Sequence, residues 1–189
     1  MTTVYFIRHA ESETSVRDGR TRPLTQKGFS SRTLVTAFLQ NKNINAVLSS
    51  PFKRAVDTIS DFAEQNGFEI NIVEDFREQK SSSDMRRDNP EFRSFLERQW
   101  ADFTYTFSDG ECLKEVQKRN ISALTNVLAE YKDKNIVIGT HATALSVIIN
   151  YYDNSYGFKN FKEMEHKLPL AVKMVFHELK CVEIEKFDL

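Results

Sequence analysis

The stretch Val4-Tyr5-Phe6-Ile7-Arg8-His9 places an apolar, strand-like run directly before an arginine and a histidine. In an open α/β sheet, ligands bind in the crevice outside the carboxyl ends of the strands. His9 stands at such an end, so its imidazole is a candidate nucleophile. Arg8 adds a permanently charged, forked donor that suits phosphate oxygens. The pair predicts a site for a phosphorylated ligand at the end of the first strand.

A second segment combines a strand end with a helix start. Ser50-Pro51 follows a strand-like run and precedes a helix with one apolar stripe. Ser50 is the expected N-cap and Pro51 the expected first helical residue. Arg54 lies in the first turn, off the stripe, at the helix end that attracts anions. Alone, Arg54 would be interpreted as a solvated surface residue, but together with Arg8 it predicts a phosphate held from two sides.

The third segment, Ile136-Val137-Ile138-Gly139-Thr140-His141, is a strongly apolar strand that again ends on a histidine before a helical run. A packed structural histidine is the alternative for His141. Because the local arrangement of His9 is repeated, we interpret His141 as a second site residue. The other two histidines, His166 and His177, lie in a polar stretch and at a hairpin turn, and are predicted to be on the surface.

The alternation of strand-like and helical patterns favours a mostly parallel sheet with helices on its faces. One helix is predicted over 51–64 and another begins near Glu111. Residues from about 79 to 110 are polar, then basic, then aromatic, and are predicted to form a cap-like excursion whose aromatic side chains cover the site or pack into the core. The predicted strands are 3–7, 46–49, 69–73, 136–139, 172–176 and 182–184, the last two forming an edge hairpin.

Composition restricts the class of protein. The chain has 189 residues, 40% of them hydrophobic, which is enough for one core in a single domain spanning 1–189. Its formal charge of -1 argues against a nucleic-acid binder, which needs a basic surface. No segment resembles a signal peptide or a membrane span, so a cytoplasmic protein is expected. Cys112 and Cys181 fit no metal spacing and are expected to be reduced thiols.

Taken together, these segments resemble the histidine phosphatase superfamily, also called the phosphoglycerate mutase-like family. Its Arg-His-Gly motif is similar to Arg8-His9-Ala10, its Ser-Ser-Pro-x-x-Arg-Ala-x-x-Thr motif to 49–58, and its Ser/Thr-His-Gly motif to Thr140-His141-Ala142. Leu24-Thr25-Gln26-Lys27-Gly28 resembles its Leu-Thr-x-x-Gly, and Gly110-Glu111-Cys112, with Arg119 following, resembles its Gly-Glu-Ser segment. The matches follow the order of the family. The resemblance implies a three-layer α/β/α sandwich around a mostly parallel central sheet.

The resemblance also implies a role for each matching residue. His9 is the nucleophile that becomes phosphorylated, and Arg8, Arg54 and His141 bind the transferring phosphoryl group. Glu78 stands where the family places its general acid, and in that role its carboxyl must carry a proton for the leaving oxygen. An ordinary loop carboxylate is the alternative for Glu78. Phosphoryl transfer depends mainly on positioning and charge stabilisation, and no metal or organic cofactor is implied.

The chain departs from the family pattern at several positions. Alanine replaces glycine after both site histidines. Ser15 stands where many members have an asparagine that helps to hold phosphate, and its hydroxyl can still donate a hydrogen bond. Arg22, in a basic loop, and Arg86 and Arg87, in the excursion, are candidate contacts at the substrate rim. Solvated basic side chains are the alternative for these three arginines.

The predicted activity is metal-independent hydrolysis of a phosphomonoester through a phosphohistidine on His9. The expected partner is a small phosphorylated substrate, with a phosphopeptide as a further candidate, and neither nucleic acid nor membrane is expected. A cofactor-dependent phosphoglycerate mutase is the alternative among enzymes, and the compact chain favours the phosphatase. A non-catalytic module that binds a phosphorylated ligand is the other alternative. The presence of a nucleophile and an acid argues against that module.

Overall fold

The computed structural model describes residues 1–82, 85 and 89–189. The predicted rim residues Arg86 and Arg87 lie outside the described residues. The strands of the described part are β1 (Thr2–Arg8), β2 (Ala46–Ser49), β3 (Ile70–Ile72), β4 (Asn135–Thr140), β5 (Leu170–His177) and β6 (Lys180–Asp188). Its helices are α1 (Gln26–Leu39), α2 (Lys53–Asn66), α3 (Phe92–Ala101), α4 (Leu113–Glu130), α5 (Ala142–Tyr152) and α6 (Phe158–Glu165), with a 3-10 turn at Glu74–Phe76.

The described strands form one sheet in the order β3-β2-β4-β1-β5-β6. The first four of these pair in parallel, whereas β5 runs antiparallel to β1 and forms the edge hairpin with β6. The predicted mostly parallel sheet is therefore confirmed. In the register of β1 and β4, Arg8 pairs with Thr140. The residues that follow, His9 and His141, consequently leave the sheet side by side.

Helices cover both faces of the sheet because successive side chains of a strand point to opposite faces. In β1, Val4 and Phe6 belong to an apolar cluster that includes residues of α3, α4, α5 and α6. Tyr5 and Ile7 belong to a second cluster with residues of α1 and α2. The predicted three layers follow from this division. Within the described residues, every helix is too short or too polar to cross a lipid bilayer.

The start of α2 differs from the prediction. The helix begins at Lys53 with Phe52 at the N-cap position, so Ser50 is not the cap and Pro51 is not the first helical residue. The hydroxyl of Ser50 instead accepts a hydrogen bond from the Phe52 N–H at 3.2 Å and makes a second one with His141 at 2.7 Å. Because its oxygen is used in the turn and in the site, the helix starts two residues later.

The predicted excursion contains α3, and two of its aromatic side chains pack into the core. Phe95 and Trp100 are buried. The Trp100 ring lies 5.5 Å from the ring of Phe161 on α6. Core packing is thus the interpretation that holds for these two residues. The following helix, α4, begins two residues after the predicted Glu111, and both cysteines are free.

Gly28 allows the segment after His9 to pack closely against α1. A Cβ atom at position 28 would lie 2.0 Å from the carbonyl oxygen of Glu11, so no side chain fits there. Thr25 caps α1 by accepting the Gly28 N–H at 3.0 Å, and its own N–H donates to the Glu11 oxygen at 3.0 Å. The Leu-Thr-x-x-Gly segment therefore anchors the loop that follows β1.

Candidate active site

His9 and His141 meet at the carboxyl ends of β1 and β4. Their ring centroids lie 5.3 Å apart and the ring planes are inclined by 60°. His141 is fully buried, whereas His9 is partly exposed. The two exposed histidines, His166 and His177, lie on the surface as predicted. The structure therefore brings together the two histidines that the sequence selected, with His9 closer to solvent.

The hydrogen bond of His9 defines which ring nitrogen can attack. Its Nδ1 lies 2.7 Å from the carbonyl oxygen of Ala10. A carbonyl oxygen only accepts, so Nδ1 carries the proton in the neutral ring and Nε2 keeps its lone pair. The N–H of Ala10 donates to the Thr58 hydroxyl of α2 at 2.9 Å, which holds this backbone in place. Nε2 is therefore the candidate nucleophilic atom.

His141 is held as a neutral imidazole. Its Nε2 shares a hydrogen bond with the Ser50 hydroxyl at 2.7 Å, and its buried Nδ1 has no hydrogen-bond partner among the described residues. Burial lowers the pKa of His141 well below its ordinary value of 6.5. Coulombic interactions with Arg54, His9, Arg8 and Arg119 lower that pKa further. The ring is therefore uncharged at neutral pH.

This burial predicts a pH-dependent stability. An unfolded histidine binds a proton below about pH 6.5, while folded His141 does not, so unfolding takes up a proton in this range. We expect the free energy of unfolding to decrease as the pH falls from about 6.5 to 5, by up to about 1.4 kcal/mol per pH unit from this group. Urea unfolding of the parent and of His141→Gln at several pH values measures that difference in slope.

The matched control for this measurement is His166→Gln, which removes an exposed histidine. Its unfolding free energy should keep the slope of the parent. His141→Gln should flatten the slope, because the titrating group is gone. A slope in His141→Gln equal to that of the parent would contradict a neutral, buried His141.

Arg54 is buried and not solvated. Only 5% of the surface of Arg54 is exposed. One of its terminal nitrogens donates to the Gly19 carbonyl oxygen at 2.6 Å. Its guanidinium lies 5.0 Å from the centre of the Phe52 ring. The same Phe52 ring lies 5.1 Å from the His141 ring, and the charge of Arg54 contributes to the lowered pKa of His141. The Phe52 ring therefore lies against both the buried charge of Arg54 and the His141 ring.

Arg8 makes contacts that the sequence did not predict. The residue is buried, and its guanidinium donates to the carbonyl oxygens of Met164, Glu165 and Lys167. Met164 and Glu165 are the last two residues of α6 and Lys167 follows it, at the helix end where the dipole favours a cation. Arg8 thus ties the end of β1 to the end of α6. Its contact with a phosphoryl group stays a prediction.

Glu78 reaches the start of the helix that follows His141. Its carboxylate accepts hydrogen bonds from the N–H groups of Thr143 at 3.1 Å, Ala144 at 3.0 Å and Gln79 at 2.9 Å. The first two lie in the first turn of α5, where N–H groups are not used within the helix. These donors orient the carboxylate beside His141. Glu78 is therefore anchored to the first turn of α5, and its role as general acid stays a prediction.

Ser15 and Arg22 lie on the loop between β1 and α1. The exposed Ser15 hydroxyl donates to the Glu13 carboxylate at 3.0 Å, and in the described residues it makes no hydrogen bond to either site histidine. The Arg22 Nε donates to the Val16 carbonyl oxygen at 2.9 Å. These contacts are within the loop. The predicted phosphate and rim roles of the two residues stay predictions.

Two site residues were not recognised as such from the sequence. Ser50 was assigned to a helix cap, yet it is fully buried and bonded to His141. Arg119 was noted only for its place after Gly-Glu-Cys, yet it binds the segment that carries Glu78. The available signal was an arginine on the helix that follows Glu111, because a guanidinium pairs well with a carboxylate. Within the described residues, no three His, Cys, Asp or Glu side chains cluster to hold a metal ion.

Fold and site together define a three-layer α/β/α protein with two histidines at adjacent strand ends. Residues 4–186 match the model of the histidine phosphatase superfamily (branch 1), so the chain belongs to that family. The predicted family and fold class are therefore confirmed. No sequence among the curated proteins matches the chain.

The fold is similar to that of several solved structures. YhfR of Bacillus stearothermophilus superposes with a TM-score of 0.78 at 19% identity, over 96% of this chain and 95% of that one. A mycobacterial glucosyl-3-phosphoglycerate phosphatase with VO3 gives 0.78 at 16% identity, over 98% of both chains. Phosphoserine phosphatase from Entamoeba histolytica, in complex with 3-phosphoglyceric acid, gives 0.75 at 19% identity, over 96% and 94%. At these identities the likeness establishes the fold.

Proposed function

We propose that this protein hydrolyses phosphomonoesters through a phosphohistidine on Nε2 of His9. The observation that carries the proposal is the meeting of the His9 and His141 rings at 5.3 Å, with the buried charge of Arg54 on the Phe52 ring that contacts His141. A nucleophile, a neutral imidazole and a fixed cation are the groups that phosphoryl transfer needs, since that reaction depends on positioning and charge stabilisation.

In the first step, Nε2 of His9 forms a bond to the substrate phosphorus while the bond from phosphorus to the leaving oxygen breaks. The proton on Nδ1 stays on the ring, and its hydrogen bond to the Ala10 carbonyl oxygen stabilises the positive charge of the phosphorylated imidazole. Arg54 and Arg8 offset the charge of the phosphoryl oxygens. The protonated carboxyl of Glu78 gives its proton to the leaving oxygen and becomes a carboxylate.

In the second step, water attacks the phosphorus and the bond between phosphorus and Nε2 breaks. The carboxylate of Glu78 takes a proton from that water, so the acid of the first step acts as the base of the second. His9 returns to its neutral form with the proton still on Nδ1, and inorganic phosphate leaves. Each group is then in its starting state.

The proposed substrate is a small phosphorylated molecule. Solved structures of similar fold include a phosphoserine phosphatase and a glucosyl-3-phosphoglycerate phosphatase, and these names support a phosphate ester of a small polar metabolite. Of the two site histidines, His141 is fully buried and His9 is partly exposed. A phosphoryl group therefore approaches from the side of His9.

A panel of phosphomonoesters tests the proposed function. Sugar phosphates, phosphoglycerates, nucleotides and phosphopeptides are assayed for release of inorganic phosphate, with and without an added acceptor hydroxyl. We expect water to be the acceptor, with one phosphate released per ester cleaved, and activity to persist in a chelator because no step uses a metal. Transfer to the added hydroxyl in place of release would indicate a mutase. Absence of both turnover and phosphoenzyme with every ester would favour a binding module.

A further inference from the structure

Arg119 binds the backbone of the segment that carries Glu78. From α4, its terminal nitrogens donate to the carbonyl oxygens of Asp75, Arg77 and Glu78 at 2.8, 2.7 and 3.2 Å. Its Nε and one terminal nitrogen also donate to the two carboxylate oxygens of Glu111, each at 3.0 Å. These five hydrogen bonds use all five N–H groups of a guanidinium. A lysine offers three donors from one atom and cannot reproduce them.

Glu111 completes the contact from the other end of the segment. Its carboxylate accepts the Lys80 N–H at 2.8 Å and a guanidinium nitrogen of Arg77 at 3.1 Å. Burial raises the pKa of Glu111, but the hydrogen bonds of Arg119 and Lys80 and the charges of Arg119 and Arg77 leave it below its ordinary value. Glu111 is therefore ionised at neutral pH and keeps accepting from both sides of Glu78.

The same segment is joined to α3 through two amide side chains. Nε2 of Gln79 donates to the Glu111 carbonyl oxygen at 2.7 Å and to the side-chain oxygen of Gln99 at 3.2 Å. Gln99 is fully buried and donates in turn to the Tyr105 and Glu111 carbonyl oxygens, at 3.2 and 3.3 Å. A buried polar network with these partners holds the residues on both sides of Glu78 in one arrangement.

We propose that Arg119, together with Glu111, is a positioning residue that holds the Glu78 carboxylate at the start of α5 beside His141. The inference rests on the proposed function, in which Glu78 gives its proton to the leaving oxygen. Arg119 acts through the backbone of residues 75–80 and not on the substrate. A shift of about 1 Å in a reacting group can cost about 10²-fold in rate, so a small displacement of this segment is expected to be measurable.

The experiment compares Arg119→Lys with the parent on two esters in a single turnover. An alkyl phosphate needs a proton on its leaving oxygen, whereas p-nitrophenyl phosphate has a leaving group that departs unaided. We expect phosphorylation of His9 by the alkyl ester to slow by about 10- to 100-fold, and phosphorylation by the aryl ester to slow far less. A merely structural role would slow both esters alike.

A double variant tests whether Arg119 acts through Glu78. Residues that act as one unit have non-additive effects. In a Glu78→Gln background, Arg119→Lys should therefore add no further slowing with the alkyl ester. Additive slowing in the double variant would overturn the proposal.

Two further variants serve as the second test and the control. Glu111→Gln keeps the size of the side chain and removes its charge. It should show the same ester preference as Arg119→Lys, that is, a greater slowing with the alkyl ester than with the aryl ester. It also replaces Arg119→Lys as the test if that variant has too low a Tm to assay. Arg93→Lys changes an exposed arginine of α3 that pairs with Glu97 at 3.1 Å, and it should behave like the parent.

The outcomes separate this proposal from the proposed function. The positioning role alone would be overturned by one pattern. In that pattern, Arg119→Lys and Glu111→Gln slow both esters equally, whereas Glu78→Gln still slows the alkyl ester more than the aryl ester. Absence of an ester preference in Glu78→Gln itself would remove the acid, and with it the positioning of that acid. If all three variants slow the alkyl ester more than the aryl ester, and Arg119→Lys adds no slowing in the Glu78→Gln background, both proposals are supported.

Discussion

His9→Ala is expected to abolish turnover while the Tm stays close to that of the parent. The variant removes Nε2, which is the atom proposed to bond to phosphorus, and leaves the charges of Arg54 and Arg8 in place. Loss of an attacking group in other enzymes costs about 10⁴-fold or more, and we expect a loss of at least about that size here. The fold should persist because the His9 ring is partly exposed and lies beyond the end of β1.

Labelling by a substrate with radioactive phosphorus measures this directly. The parent should acquire a label that is lost in acid and kept in base, as expected for a phosphorus–nitrogen bond, and His9→Ala should acquire none. His166→Ala, which removes an exposed histidine, should label like the parent. If His9→Ala labels and turns over as the parent does, the nucleophile is another residue.

Glu78→Gln should show a rate loss that depends on the leaving group. Glutamine has nearly the same shape as glutamate but no acidic proton. Cleavage of alkyl phosphates should therefore slow by about 10²–10⁴-fold, the contribution that general acid–base catalysis typically makes. Cleavage of p-nitrophenyl phosphate should be slowed far less. A first-turnover measurement isolates the phosphorylation of His9 from the later hydrolysis.

The matched control for Glu78→Gln is Glu97→Gln, an exposed carboxylate on α3, which should leave both rates unchanged. Equal slowing of both esters by Glu78→Gln would indicate a structural or phosphate-ordering role. The acid would then be sought among Glu11, Glu111 and Asp84, the last of which lies outside the described residues. Glu11 accepts from the Thr25 hydroxyl at 2.8 Å, and Glu111 is tied to Arg119, so neither has the position of Glu78.

The local elements and their order could be predicted from the sequence because they depend on short-range patterns. Apolar runs that end on a charged or polar residue indicate strands, and an apolar stripe indicates a helix. His9 and His141 were therefore found at strand ends, and β1, β4 and α2 lie within a few residues of the predicted bounds. The start of α2 was misplaced because the Ser50 oxygen bonds to His141, a residue far away in the chain.

The amino-acid sequence by itself determined the family, the alternation of strands and helices, and which residue types stand at the strand ends. Only the tertiary structure decided that β1 and β4 are neighbours, in a register that places the rings of His9 and His141 side by side. It also decided that Arg8 binds the end of α6 and that Arg119 binds the segment of Glu78. The physical reason is that local patterns select an element, whereas strand pairing and the partners of long, many-donor side chains depend on how distant elements pack.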